Sequence, residues 1–153
     1  SKAKLYRPVV GRIFTVWLEA ADTFQTSNEL RAALHDYVNE KMEISRMYTD
    51  GSKIWANEFI DCGPAIHDFL PSVLEARTNS RIEAMRRLTK EGKIRDLEPR
   101  RIVYIICATT QPYADFAHQI ETFNDCKALS INRLQKARDT VFDIIWPGLE
   151  PED

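Results

Sequence analysis

The side chains best suited to nucleophilic or metal chemistry in this 153-residue chain are Cys62, Cys107 and Cys126, with His35, His67 and His118. Their spacing argues against both uses. There is no Cys-x-x-Cys pair, no Gly-x-Ser-x-Gly elbow and no local cysteine-nucleophile signature. His118-x-x-Glu121 reverses the Glu-x-x-His order of di-iron bundles and has no second copy. Glu58, Asp61 and His67 are neighbours in sequence, but Gly63-Pro64 stands between them. With only five glycines, and no GxGxxG or GKS/T stretch, a phosphate cradle is excluded. The expectation is a protein without catalytic residues, metal or cofactor.

A different chemistry is written in residues 105–116, IICATTQPYADF. Within an apolar run stand Thr109, Thr110, Gln111 and Pro112. Burying such groups without partners costs about 1–3 kcal/mol each. Threonine can satisfy itself by bonding back to a carbonyl one turn earlier, whereas the Gln111 amide cannot do so easily. Pro112 also frees the carbonyl of Ala108 from its usual partner. Two readings stay open: a kink satisfied by water or a neighbouring helix, or a cavity wall where an amide meets a small polar ligand. Two further polar interruptions point to the rest of such a cavity. Lys41 falls on an otherwise apolar stripe, and Asn57 falls between Trp55 and Phe59. Trp17 belongs to a core stripe, and its indole N–H needs a partner if buried.

Helices must position these residues, because apolar spacings of three and four dominate the chain. Leu5, Val9, Ile13, Val16, Trp17, Ala20 and Phe24 form one stripe over about six turns. Pro8 lies inside its first half and predicts a bend. Thr26-x-x-Glu29 reads as a capping box for a helix carrying Leu34, Tyr37, Val38 and Met42. Asp50-Gly51-Ser52 opens a shorter helix that Gly63-Pro64 ends, and a brief helical turn spans 65–70. Pro71 begins a further helix that stops at Gly92. Glu98-Pro99 starts one running to about Phe123, and Asn124-Asp125 breaks it. The last helix ends before Pro147-Gly148. The IVYIIC run could be a strand by propensity, but a lone strand has nothing to pair with. Read as a helix it is apolar all round, so it must be covered by its own domain and by a second subunit. The expected fold is one all-α domain of six or seven helices.

Bulk properties narrow the partners. Lys plus Arg number 21 against 23 Asp plus Glu, a net charge of -2, which gives no electrostatic reason to expect nucleic-acid binding by this chain. No apolar run nears the ~20 residues of a membrane span, and no signal-peptide pattern opens the chain. Cysteine usage fits a reducing, cytoplasmic setting.

Several stretches resemble one family. SKAKLY resembles the segment after the recognition helix of TetR-family regulators, and EGKIRDLEPRRI the passage before their penultimate helix. VWLEAADTF, EKMEISRMY and above all ATTQPYADFA are similar to the uracil/thymine-responsive pyrimidine-utilisation repressors of that family. The resemblance covers essentially the whole chain. It implies a TetR-type effector-binding and dimerisation domain over residues 1–153, with the helix-turn-helix DNA-binding module lying before it. DNA would then be contacted only through that module. The resemblance also implies a homodimer joined by a four-helix bundle, with Ile102, Ile106, Leu134, Ala137, Val141 and Ile145 lining it. Trp17 matches a pocket tryptophan and Gln111 the base-binding glutamine. Cys107 stands where the pyrimidine-responsive pattern has a second tryptophan, which implies a wider cavity there. The expected ligand contacts are therefore Trp17, Lys41, Asn57, Cys107 and Gln111. The rival reading is a constitutive helical dimerisation or protein-docking module, with the knot as a satisfied kink.

Overall fold

A computed structural model describes residues 2–19, 30–61, 63, 67, 68 and 70–151, without the side chains of 2–4, 14, 17–19, 70–74, 76 and 77. The helices are α1 (Lys2–Glu19), α2 (Leu30–Met47), α3 (Thr49–Ile60), α4 (Leu70–Lys90), α5 (Pro99–Thr110), α6 (Pro112–Asp115), α7 (Ala117–Phe123) and α8 (Ile131–Leu149). The segments α5, α6 and α7 are pieces of the one helix expected from Pro99 to Phe123, so the fold is the expected all-α one. The Thr26–Glu29 capping box, Ala20, Phe24 and the start of the turn at 65–70 fall outside the described residues.

Local chemistry explains most boundaries. Glu98 caps α5 by accepting from the backbone N–H of Arg100 at 3.2 Å and Arg101 at 3.1 Å, while Pro99 fills the first helical position. Gly92, with φ +67°, closes α4 in a Schellman arrangement. There Lys93 N–H donates to the Leu88 carbonyl at 2.9 Å and Gly92 N–H to that of Thr89 at 3.0 Å. The break after α7 is taken by Asp125 and Cys126, both left-handed at φ 56° and 58°. Two boundaries differ from expectation. Asp50-Gly51-Ser52 lies within the first turn of α3, which follows α2 after Tyr48 alone. Also, α8 runs through Pro147 and Gly148 to Leu149, because Leu149 is buried one turn after Ile145 and its carbonyl accepts from Arg95 N–H at 3.0 Å.

The core lies between α2, α4, α5 and α8. Leu34, Tyr37, Val38 and Met42 of α2 meet Met85 and Leu88 of α4, Ile102, Val103 and Ile106 of α5, and Val141, Phe142, Ile145 and Leu149 of α8. The residues expected to line a dimer bundle belong to or pack on this core. Ile102, Ile106, Val141 and Ile145 are buried inside their own protomer, and Leu134 and Ala137 pack half-buried against the same core. The reason is the all-apolar sequence of α5, which supplies two stripes. Residues 102, 103, 106 and 110 turn inward, while Tyr104 and Ile105 point out, 62% and 54% exposed. On α8, Ile144 is likewise 71% exposed. The first helix departs in a similar way: Val10 is fully buried, whereas Leu5 and Val9 of the expected stripe are exposed. The helix continues through Pro8.

Candidate functional site

The knot is a helix break built by its own residues. The Gln111 N–H donates to the Cys107 carbonyl at 3.0 Å, the last bond of α5, and the Pro112 nitrogen has no hydrogen to continue the ladder. The chain restarts at once as α6, where the Gln111 carbonyl accepts from Ala114 N–H at 2.9 Å and Asp115 N–H at 3.0 Å. Both threonines satisfy themselves by back-bonding. Thr110, fully buried, donates from Oγ1 to the Ile106 carbonyl at 2.7 Å, and Thr109 to that of Ile105 at 2.9 Å. Gln111 is half-buried, and among the described residues its side-chain amide makes no hydrogen bond.

Behind the break lies a buried polar cluster. Lys41 of α2 is 4% exposed, and the partly covered Cys107 side chain of α5 is among the groups that act on its charge. The turn of α6 brings Asp115 toward the same amine, and Asp115 accepts a hydrogen bond from the Ser52 hydroxyl of α3. Arg81 of α4, also buried, lies over the Tyr37 ring with its guanidinium carbon 5.8 Å from the ring centre. Five helices thus send a polar group to one region.

Electrostatics in this region push groups toward their neutral forms. Burial lowers the Lys41 pKa; the Cys107 side chain and the Asp115 carboxylate oppose that shift, and the Arg81 charge adds to it. Burial raises the Asp115 pKa, opposed by the Ser52 hydrogen bond and the Lys41 charge. Burial likewise pushes the Tyr37 phenol up. Further along the buried face of α3, Tyr6 donates to Glu58 Oε1 at 2.7 Å, and that bond holds the Tyr6 phenol up at about 12.

Of the five expected ligand contacts, the structure brings Lys41 and Cys107 together and places Gln111 at the adjoining break. Asn57 is not with them: it is exposed on α3, whose buried face is Ser52, Trp55 and Glu58. Trp17 lies on α1, and its side chain is outside the described residues. Sequence reasoning missed Ser52, Arg81 and Asp115. Ser52 was hidden in a turn signal and Arg81 beside Ile82 on the apolar stripe of α4. Asp115 was the signal available, because a break at Pro112 re-aims the residues just after it. A cleft of about 130 Å3 opens beside the knot, with Tyr113, Thr49, Arg46 and Ile120 in its walls. Among the described residues no group of three metal-binding side chains occurs, and no helix is long and apolar enough to cross a membrane.

Residues 10–152 match the TetR-type family described as YcdC-like protein, C-terminal region. The chain is similar to the HTH-type transcriptional regulator RutR of Escherichia coli strain K12. The two are 29% identical over 151 residues, spanning 99% of this chain and 71% of the relative. RutR of Shigella flexneri stands at the same 29% over the same shares, and RutR of Escherichia coli O157:H7 at 28%.

Proposed function

The chain belongs to the YcdC-like family of TetR-type C-terminal regions, and we infer that it is the ligand-sensing and dimerisation domain of a transcriptional repressor. It belongs to a family of regulators and is not an enzyme. The observation that carries the sensing role is the half-buried Gln111 amide, without a hydrogen bond among the described residues, one turn after the partly covered Cys107 and at the edge of the region that holds the buried Lys41. An amide offers one donor direction and one acceptor direction, which suits the lactam edge of a pyrimidine base. A small polar ligand of that kind would dock on Gln111 and the cluster, with Trp17 of α1 as a further wall. Asn57 takes no part.

Signal output follows from linkage. A ligand that binds one conformation of α1, α5 and α6 better than another shifts the population by its differential affinity. A coupling of about 1–3 kcal/mol is the usual scale. The dimer forms through the outer faces of α5 and α8, where Tyr104, Ile105 and Ile144 are exposed. DNA is reached through a helix-turn-helix of the full-length cytoplasmic protein, and ligand binding changes how two such modules are spaced.

A thermal-shift screen tests the sensing role, using uracil, thymine, cytosine, hypoxanthine, several amino acids and short acyl compounds. A ligand at a hundred times its dissociation constant adds about 2.7 kcal/mol of stability, several degrees in a domain of this size. Uracil or thymine is expected to raise the midpoint, and Gln111→Ala to abolish the rise. A rise that persists in Gln111→Ala would remove Gln111 from the site.

A further inference from the structure

The outer face of α8 carries a pattern of charge beside the exposed Ile144. Val141, Phe142, Ile145 and Leu149 turn inward, and Lys136, Thr140 and Asp143 stand exposed on the opposite side. On a helix of 3.6 residues per turn, Lys136 and Asp143 lie two turns apart on one side, about 10.5 Å from each other along the axis. Thr140 lies between them, and its hydroxyl already donates to the Lys136 carbonyl at 2.9 Å. A helix crossing there meets a small side chain whose donor is satisfied. Neither Lys136 nor Asp143 forms an ion pair among the described residues, whereas the nearby Asp139 is held by Arg138 at 2.9 Å.

Such a line of residues is self-complementary under one kind of two-fold axis only. An axis parallel to the helix sets Lys136 against Lys136 and Asp143 against Asp143, and like charges placed together are penalised. An axis perpendicular to the helix, passing beside Thr140, runs the second copy antiparallel. Each Lys136 then stands opposite an Asp143, and symmetry forms both pairs at once. We propose that α8 docks on α8 of a second copy in this antiparallel register, with Lys136 of each protomer paired to Asp143 of the partner subunit. The proposal rests on the reading of this chain as a dimerisation domain, and adds the orientation and register of the two copies. Apolar contact through Ile105 and Ile144 is non-directional and survives a small slide of one helix on the other. A slide of one turn, about 5.4 Å, separates both charge pairs. Exposed pairs add little affinity, so their role here is to exclude the wrong arrangements.

The test mixes two singly reversed chains, Lys136→Glu and Asp143→Lys, one of them isotopically labelled. They are unfolded and refolded together, and the dimers are counted by native mass spectrometry. Both positions are exposed, so the reversals leave the protomer core untouched. Each reversed chain meets only like charge in its own homodimer, whereas the mixed dimer restores both opposite pairs. The mixed dimer is expected to exceed its statistical share at least ~10-fold over the homodimers. The doubly reversed chain, Lys136→Glu with Asp143→Lys, is expected to dimerise with itself as the parent does. A statistical mixture would overturn the proposal, and so would a double variant that associates no better than the single ones. If Ile144→Asp still separates the parent dimer in that case, the dimer reading stands and only the register falls. A monomeric parent would remove both.

Discussion

The two faces of α5 invert the usual arrangement in opposite directions. Its inner end, with Cys107 and the break at Gln111, gathers Lys41, Asp115 and Arg81 inside the domain. Its outer face, with Tyr104 and Ile105, holds apolar side chains in water alongside Ile144 of α8. Buried polar groups and exposed apolar patches are the informative exceptions to ordinary burial. Polar atoms inside need a chemically specific companion, whereas an apolar stripe outside needs only a complementary surface, and a second copy supplies one by symmetry. On the proposed function, one helix would serve both recognition tasks, one on each face.

Adjacent residues separate the two faces sharply. Ile105→Asp or Ile144→Asp puts a carboxylate into the outer stripe. It should weaken self-association at least ~100-fold, which is about 3 kcal/mol, while leaving the helical circular-dichroism signal intact. Sizing with light scattering reads the result, and an unchanged dimer mass would place the interface elsewhere. Ile106→Ala, one residue further on, empties part of the protomer core and should cost about 2–5 kcal/mol of folding stability in denaturant titration.

Lys41→Met tests the inner face through pH. Because the Lys41 pKa is lowered in the folded chain, the unfolded chain binds that proton more tightly. The charge therefore costs stability fully below the folded pKa, and the cost fades as pH rises toward the ordinary lysine value near ~10.4. The Met variant is expected to be about 1 kcal/mol more stable than the parent near neutral pH, with the gap closing as pH rises. A gap that stays constant with pH would mean that Lys41 is not held against its charge. The smallest effect is at the far end of the helix. Glu98→Ala removes the cap on Arg100 and Arg101 and should lower stability by about 0.5–1 kcal/mol in thermal unfolding.

Periodicity made the helices legible, along with Gly92 and Glu98-Pro99 as boundaries, and the knot as a kink within one helix that the structure divides into three. These signals are local, since a cap, a positive φ and a missing N–H act within a few residues. What periodicity could not show was which side of IVYIIC faces inward. Ile102, Ile105 and Ile106 are chemically alike, and only the packing of α2 and α8 decides between them. The site divides along the same line. Lys41 stood out as an interruption of an apolar stripe, whereas Cys107 was singled out only through the family resemblance. Ser52 and Asp115 lie 63 residues apart, and their hydrogen bond depends on how α6 turns after Pro112. Asn57 seemed equivalent to Lys41 in sequence, but on a helix of 3.6 residues per turn it faces away from Ser52 and Trp55.

Calorimetric titration of the best compound from the screen, run in parallel on the parent chain and Gln111→Ala, shows whether Gln111 holds a ligand. One site per protomer is expected, with affinity at least ~10-fold weaker in the variant, the scale of one lost hydrogen bond to a buried polar ligand. Equal affinity in the two proteins, or no binding heat from any member of the panel, would contradict it.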